Sequence, residues 1–186
     1  MTVTLPPDPW QKVKTYNDFP ADEVISALQK EIRRGNTENA ALLAYEMVRT
    51  SPDLEEKLWI RLMVISVEDV GMGDPNAPLL INNLYEIHKR FSLEALDRPL
   101  FAIHAVKYLC EAEKDRSSDE ILNWIKNSGE LPQIPDYAID MHTKRGFEMG
   151  RNIEHFLQEG SKVHPEKKDR NTTYFKKLRD LFNVKQ

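Results

Sequence analysis

Acidic residues and glycines are concentrated in one short stretch, EDVGMGDPNAP, at residues 68–78. Three carboxylates, those of Glu68, Asp69 and Asp74, could in principle bind a magnesium ion or exchange protons with a substrate. If a helix ends in this stretch, Glu68 and Asp69 lie in its last turn, where negative charge opposes the helix dipole. These two acids therefore require a compensating partner, such as Arg61 or a loop amide, or they have a function.

The rest of the same stretch fits a tight turn between two helices. Gly71 can adopt the left-handed conformation that commonly ends a helix. Asp74 followed by Pro75 is typical of a helix N-cap and first position, which places Asn76 in the first turn. The sequence therefore predicts a structural role for Gly71, Asp74 and Pro75, and this role explains Asp74 more simply than catalysis does.

Cations and glycines alternate in a second stretch, DMHTKRGFEMGRNIEHF, at residues 140–156. Cationic side chains combined with accessible backbone amides favour phosphate, and they suit a nucleic-acid backbone better than base edges. The residues predicted to bind phosphate or nucleic acid are His142, Lys144, Arg145, Gly146, Gly150 and Arg151.

Two other interpretations of this second stretch remain open. The glycines could break one long helix in two, with the cations paired to Asp140, Glu148 or Glu154. Alternatively, His142 and its neighbours could line the pocket of a small-molecule or nucleotide-binding enzyme. The spacing of Asp140, His142 and His155 matches no common metal-ligand pattern, so the sequence predicts no metal and no cofactor.

Charge is distributed unevenly along the 186 residues, whose formal net charge is −4. Residues 142–186 contain 11 basic and 6 acidic residues, whereas residues 1–141 contain 15 basic and 24 acidic ones. A basic C-terminal quarter indicates either an anion-binding face or a solvated tail. A single cysteine, no long apolar run and no signal-peptide pattern at the start predict a cytoplasmic protein without a membrane segment.

Helical periodicity dominates the chain after a proline-rich arm at residues 1–20. Apolar residues recur at helical spacing from Val24 to Ile32, and a long apolar segment ending near Val70 is typical of a central, buried helix. Further helices are expected from Asp74, after Asp97, over residues 138–160 and over 172–183. The fold class predicted is all-α: a bundle of antiparallel helix pairs with about 7–8 helices, forming one domain over 21–186 with an internal division at 130/131.

A family resemblance is carried by three segments: VISALQKEIRRGNTENAALLAYEMV, LWIRLMVISVEDVGMGDPNAP and RPLFAIHAVKYLCEAEKDRSSDEI. They resemble the C-terminal helical region of the MgsA/RarA-type AAA+ ATPases. These are the replication-associated recombination proteins, relatives of the Werner-helicase-interacting protein and of clamp-loader subunits. The block EDVGMGDPNAP is the most specific part, and it marks Glu68, Asp69, Gly71, Asp74, Pro75 and Asn76 as the family-motif turn.

This resemblance implies a collar-like domain that forms a homo-oligomer, a tetramer in this family, and acts in DNA replication and recombination. Within the 186 residues there is no G-x-x-x-x-G-K-[ST] phosphate loop, so the likeness concerns the helical region and not the ATPase module. We therefore expect a non-catalytic module that binds DNA or a partner such as single-stranded-DNA-binding protein or an ATPase. A pure assembly adaptor without a nucleic-acid role is the alternative.

Overall fold

The structure, a computed structural model, describes residues 8–184, which form helices joined by irregular connections, with two isolated backbone bridges and no strand. The prediction of an all-α fold is confirmed. The chain divides into two compact units, Met1–Gly129 (unit 1) and Glu130–Gln186 (unit 2). The sequence predicted one domain over 21–186 with an internal division at 130/131, and the boundary between the units lies one residue before that division.

The described part of unit 1 contains six α-helices, of which the first five pack on one another through apolar faces. In α1, the predicted apolar stripe is buried, and Leu28 and Ile32 are completely inaccessible. The helix α3 is central as predicted, because it packs against α1, α2, α4 and α5. The helices are α1 (Ala21–Arg34), α2 (Thr37–Thr50), α3 (Pro52–Ile65), α4 (Ala77–His88), α5 (Arg98–Glu111) and α6 (Ser117–Ser128).

The proline-rich arm predicted at residues 1–20 is described from residue 8 onward, and its first seven residues lie outside the described part. A short 3-10 helix, Pro9–Lys12, places Trp10 against the core of unit 1. Asn17 then donates hydrogen bonds from its backbone N–H and its side-chain amide to the two carboxylate oxygens of Glu46, both at 2.6 Å. The described part of the arm is therefore attached to α2.

Unit 2 consists of short helical segments: a 3-10 turn at Asp136–Ala138, α7 (Lys144–Glu148), α8 (Ile153–His155) and α9 (Thr173–Leu181). A π-helical turn, Phe156–Gly160, continues α8. The helix predicted over 138–160 is thus broken into pieces. The break follows Gly150, which has a φ of +73°, and Asn152 caps the next turn by accepting hydrogen bonds from the backbone N–H groups of Glu154 and His155.

No helix within residues 8–184 is both long enough and apolar enough to cross a membrane.

A buried histidine lies at the centre of a polar cluster in unit 1. The ring of His88 packs against Trp59 and Tyr85, with ring centroids 4.6 Å and 5.2 Å away. Its Nδ1 lies 2.5 Å from the carbonyl oxygen of Tyr85, and its Nε2 lies 3.2 Å from an Arg98 guanidinium nitrogen. Arg98 is held in turn by Glu55, with Nε 3.0 Å from a carboxylate oxygen.

These contacts define a neutral imidazole that donates from Nδ1 to the carbonyl oxygen of Tyr85 and accepts from Arg98 at Nε2. Burial lowers the pKa of His88, and the charge of Arg98 lowers it further, against the opposing effect of the hydrogen bond to Tyr85. Protonation of His88 would place an N–H donor at Nε2 opposite the N–H donor of Arg98, and this contact is unfavourable. The cluster therefore stabilises unit 1 in its neutral form.

We predict that acid destabilises unit 1 through His88. The unfolded histidine takes up its proton near pH 6.5, whereas the folded one resists, so this contribution is complete above about pH 6.5 and is lost as the pH falls toward the folded pKa. Urea unfolding from about pH 8 to 5 should show a declining midpoint, and His88→Gln should remove this part of the decline. The exposed His104 provides the control, since His104→Gln should leave the decline intact. Parallel curves for wild type and His88→Gln would contradict the prediction.

Candidate functional site

The junction between α3 and α4, residues 66–76, contains the acids that the sequence singled out. The helix α3 continues into a π-helical turn, Ser66–Val70, which carries Glu68 and Asp69. Asp69 is fully buried, whereas the side chain of Glu68 is 26% exposed. A buried carboxylate is stable only if it is paired and hydrogen-bonded, so its partners decide what the junction can do.

Both acids are held by two residues of α1. Arg33 binds Asp69 through Nε and Glu68 through a terminal nitrogen at 3.1 Å. The amide nitrogen of Gln29 donates to Glu68 at 2.8 Å and to Asp69 at 3.0 Å. The hydrogen bond to Asp69 raises the pKa of Arg33, so this cation stays charged.

A third contact comes from the segment that precedes α6. Arg116 places Nε 3.7 Å from Asp69 and a terminal nitrogen 4.0 Å from Glu68, and it also pairs with Asp119. Arg61, the partner suggested by the sequence, does not bind either acid directly, because it donates instead to the amide oxygen of Gln29. The junction acids thus have the cationic and amide partners that they require.

Gly71, one of the two glycines of the junction, is needed for space and for a positive φ. Gly71 has φ +53° and ψ −128°, which is not the left-handed helical conformation predicted from the sequence. A Cβ on Gly71 would overlap the carbonyl oxygen of Asp115, whose backbone N–H donates to the carbonyl oxygen of Val70 at 3.0 Å. The chain before α6 therefore packs directly on the junction backbone.

Asp74 has a different role from the predicted helix cap. The helix α4 begins at Ala77, so Asp74 and Pro75 lie in the turn before it and Asn76 is the N-cap residue. One carboxylate oxygen of Asp74 accepts from the backbone N–H of Asn76 at 3.0 Å, and the other accepts from the Tyr108 hydroxyl. This bond raises the pKa of Tyr108 to about 12. Asp74 therefore connects the turn to α5 through Tyr108, and because of this turn α4 begins at Ala77 and not directly after Asp74.

In unit 2, the residues predicted to bind phosphate have different environments. Arg151 donates to both carboxylate oxygens of Asp136, at 2.6 and 2.7 Å, and to the carbonyl oxygens of Asp136 and Ile139, both at 2.6 Å. Its side chain is only 14% exposed. The arginine is better explained as an internal cross-link than as the free cation suggested by the sequence, and it lowers the pKa of Asp136.

The glycines of unit 2 also have structural explanations. A Cβ on Gly146 would overlap the backbone of Asp140, so this glycine allows two segments of the chain to meet and not a ligand to approach. Gly150 has a φ of +73° and open space around it.

The predicted histidine, His142, is bound to Asp140. The backbone N–H and the ring of His142 bind the Asp140 carboxylate, at 2.9 Å and 3.2 Å, and these bonds lower the pKa of Asp140.

Two of the predicted cations remain open to solvent. The side chain of Lys144 is 90% exposed and has one distant ion pair, 3.8 Å from Glu148, while Arg145 is exposed beside it. Within residues 8–184, no three histidine, cysteine or acidic side chains are arranged so that they could hold a metal ion, and this applies to Asp140, His142 and His155. A cleft of about 640 Å³ in unit 2 is lined by residues between Leu157 and Arg179, and neither His142 nor Arg145 lines it.

Sequence reasoning missed the residues that neutralise the junction. Gln29 and Arg33 are four residues apart, which places them on one side of α1, next to its apolar stripe. A glutamine at such a position is a weak signal of a buried polar contact. The sequence could not show that this side of α1 faces the end of α3.

The comparisons with known proteins agree with the resemblance stated from the sequence. Over 137 residues the chain is 34% identical to replication-associated recombination protein A of Bacillus subtilis, an alignment that covers 72% of this chain and 31% of that protein. It is 29% identical over 122 residues to the protein of the same name from Haemophilus influenzae, covering 66% of this chain and 26% of that protein. No protein-family model matches the chain. The resemblance to this class of protein is therefore confirmed, and the chain aligns with less than a third of the length of these curated relatives.

We predict that Arg33→Met destabilises unit 1 by about 2–3 kcal/mol. The change leaves the fully buried Asp69 carboxylate with only Gln29 and the more distant Arg116 as partners. Because the side chain of Arg33 is partly exposed, we expect a smaller loss of stability than for a fully buried ion pair. Urea unfolding measures the loss. The matched control is Lys107→Met, which removes an exposed pair with Glu111 and should cost less than about 0.5 kcal/mol. Equal losses in the two variants would contradict this role for Arg33.

We further predict that Gly71→Ala destabilises unit 1 by about 2 kcal/mol or more, because the new methyl group would meet the Asp115 carbonyl oxygen in a strained conformation. Gly129 also has a positive φ, +71°, but nothing lies within 4 Å of its Cβ position. Gly129→Ala should therefore cost only about 1 kcal/mol. Comparison of the two urea midpoints separates the effect of crowding from that of backbone strain. Similar losses of stability in the two variants would contradict the prediction, because they would mean that the Asp115 carbonyl moves away from the new methyl group at little cost.

Proposed function

We propose that this chain is a non-catalytic, oligomerising helical module that acts in DNA replication and recombination and binds DNA or a partner protein. The similarity to replication-associated recombination protein A over 72% of the chain carries the proposal. The module corresponds to the helical region of such a protein and not to the part that hydrolyses a nucleotide.

The geometry of the junction supports a non-catalytic role. A general acid or base needs a free carboxylate with an adjusted pKa, and a magnesium site needs open carboxylate oxygens. Asp69 is sealed by Arg33, Gln29 and Arg116, while Asp74 is used by Tyr108 and a backbone amide. The most motif-like stretch of the sequence is thus a structural joint between helices.

Contact with nucleic acid is proposed for unit 2. Its exposed cations Lys144 and Arg145 lie in the basic part of the chain, with His142 close by in sequence. Arg151 is not included, since Asp136 and two carbonyl groups occupy its guanidinium. Unit 1 has 15 basic and 21 acidic residues, so it is the less suitable surface for a phosphate backbone.

The acidic charge of unit 1 also favours a second candidate, an assembly adaptor that binds only protein. Such an adaptor would oligomerise or bind a replication protein without touching DNA. The two candidates differ in one measurable property, the salt-dependent affinity for nucleic acid.

We predict that the purified chain binds single-stranded, duplex or forked DNA, and that its affinity falls steeply between about 50 and 200 mM salt. Fluorescence anisotropy measures the affinity. Lys144→Glu with Arg145→Glu should weaken binding about tenfold or more and reduce the salt dependence, because two phosphate contacts become repulsive.

The matched control is Lys30→Glu with Arg34→Glu, which makes the same charge change on exposed residues of α1 in unit 1. It should bind nearly as well as wild type. Equal weakening by both variants would indicate a general charge effect and not a site in unit 2. If the wild-type chain has no affinity at low salt, DNA contact is excluded and the adaptor remains.

A further inference from the structure

The helix α9 (Thr173–Leu181) of unit 2 carries an exposed apolar ridge. The ridge side chains are open to solvent: Tyr174 at 71%, Leu178 at 44%, Leu181 at 70% and, directly after the helix, Phe182 at 45%. Tyr174, Leu178 and Leu181 are four and three residues apart, which places them on one side of the helix, and Phe182 follows Leu178 by four positions. A nine-residue helix is not stable in water by itself, so the ridge indicates a binding surface.

Cations surround this ridge. Lys177 lies at its edge, with Nζ 5.5 Å from the centre of the Tyr174 ring. Residues 162–180 contain seven basic and three acidic residues. Four of the basic ones are exposed lysines that form no salt bridge within residues 8–184: Lys167, Lys168, Lys176 and Lys177. The surface next to the ridge is therefore positively charged, and its lysines are available to an anionic partner.

Another side of α9 attaches the helix to the rest of unit 2. Phe175 is half-buried and lines the cleft of about 640 Å³ together with Arg179. The Arg170 guanidinium lies 5.3 Å from the centre of the Phe175 ring. After the helix, the buried Val184 donates its N–H to the carbonyl oxygen of Arg179 at 2.9 Å. Phe175 thus packs inward, and the ridge is directed away from unit 2.

We propose that α9 binds the surface of an anionic phospholipid membrane and lies in the plane of the interface. The ridge side chains enter the boundary of the acyl chains, while Lys177 and the neighbouring lysines contact the lipid phosphates. A helix of nine residues lies on such a membrane and does not span it. The proposal is independent of the DNA contact proposed for Lys144 and Arg145, which belong to α7.

The combination of ridge and cations favours lipid over other occupants. A nucleic-acid backbone would neutralise the lysines but leave the apolar side chains in water. A partner helix is usually bound in an apolar groove, whereas Tyr174 and Leu181 project outward with about seven-tenths of their surface exposed. A bilayer requires no groove, because its chains close around a projecting side chain. An anionic bilayer also presents apolar chains and phosphates at adjacent depths, as the ridge and the lysines require.

The first test is co-flotation of the full chain with vesicles. Vesicles of phosphatidylglycerol and phosphatidylethanolamine in equal amounts should bind the chain about tenfold or more better than vesicles of phosphatidylcholine, and added salt should weaken this binding. Leu178→Asp with Leu181→Asp should reduce binding to the anionic vesicles about tenfold or more, because the ridge can no longer enter the apolar boundary. Unchanged circular dichroism is expected, since neither leucine is buried.

The matched control makes the same change outside α9. Leu131 and Ile134 of unit 2 are 84% and 79% exposed, so Leu131→Asp with Ile134→Asp adds the same charge without altering the ridge. This variant should bind the anionic vesicles nearly as well as wild type. Equal losses in the two variants, or a wild-type chain without affinity for anionic vesicles, would overturn the proposal.

The second test locates the ridge in the bilayer without removing it. In a Cys110→Ala background, one sample carries Leu181→Cys and another carries Lys176→Cys, each labelled with the environment-sensitive dye NBD. Lys176 lies on the opposite side of the helix from Leu178, because residues two positions apart point in nearly opposite directions. Anionic vesicles should shift the emission of the label at Leu181 to the blue and leave the label at Lys176 in water. Equal shifts at both positions, or no shift at Leu181, would overturn the proposal.

DNA anisotropy on the α9 variant separates this proposal from the proposed function. Leu178→Asp with Leu181→Asp should retain most of the DNA affinity of wild type, since Lys144 and Arg145 are unchanged. A loss of DNA binding in this variant, with no vesicle binding by wild type, would assign α9 to nucleic acid and overturn the lipid contact. A chain that binds vesicles but no DNA would keep the lipid contact and exclude the DNA contact.

Discussion

The Asp69 carboxylate is a negative charge that unit 1 buries completely, and three separate parts of the chain meet around it. Arg33 and Gln29 come from α1, Arg116 from the segment before α6, and Asp69 itself from the end of α3. An unpaired buried carboxylate would cost several kcal/mol, so these parts are held in a fixed arrangement. The cluster adds specificity to a fold whose stability comes mainly from the apolar faces of α1, α2, α3 and α5.

The π-helical turn at Ser66–Val70 and the junction glycine follow from this arrangement. The turn brings Glu68 and Asp69 to the same partners, although adjacent side chains on a regular α-helix point in different directions. Gly71 then lets the backbone of Asp115 approach, which brings Arg116 near both acids. The block EDVGMGDPNAP thus has a physical role as a joint between two helices.

Features of the fold that depend on local periodicity could be predicted from the sequence, whereas contacts between segments distant in sequence could not. The buried stripe of α1 and the central position of α3 could be predicted, because apolar spacing alone determines them. The Arg151–Asp136 pair and the closeness of Gly146 to Asp140 could not, since they depend on how loops fold back. For the same reason the sequence treated Arg151 as available to phosphate, and it placed the start of α4 at Asp74 and not after the turn that Tyr108 holds.

Gln29 is the neutral link between opposite charges in the junction. Its nitrogen faces two carboxylates, and its oxygen faces Arg61, so the orientation of the amide is fixed by its surroundings. A glutamate at this position would bring a third negative charge to the pair, and a lysine would lose the acceptor for Arg61. Positions 29, 61, 68 and 69 therefore form a group in which one residue can change type only if others change with it. Evolutionary drift at these four positions should be coupled, whatever the module binds.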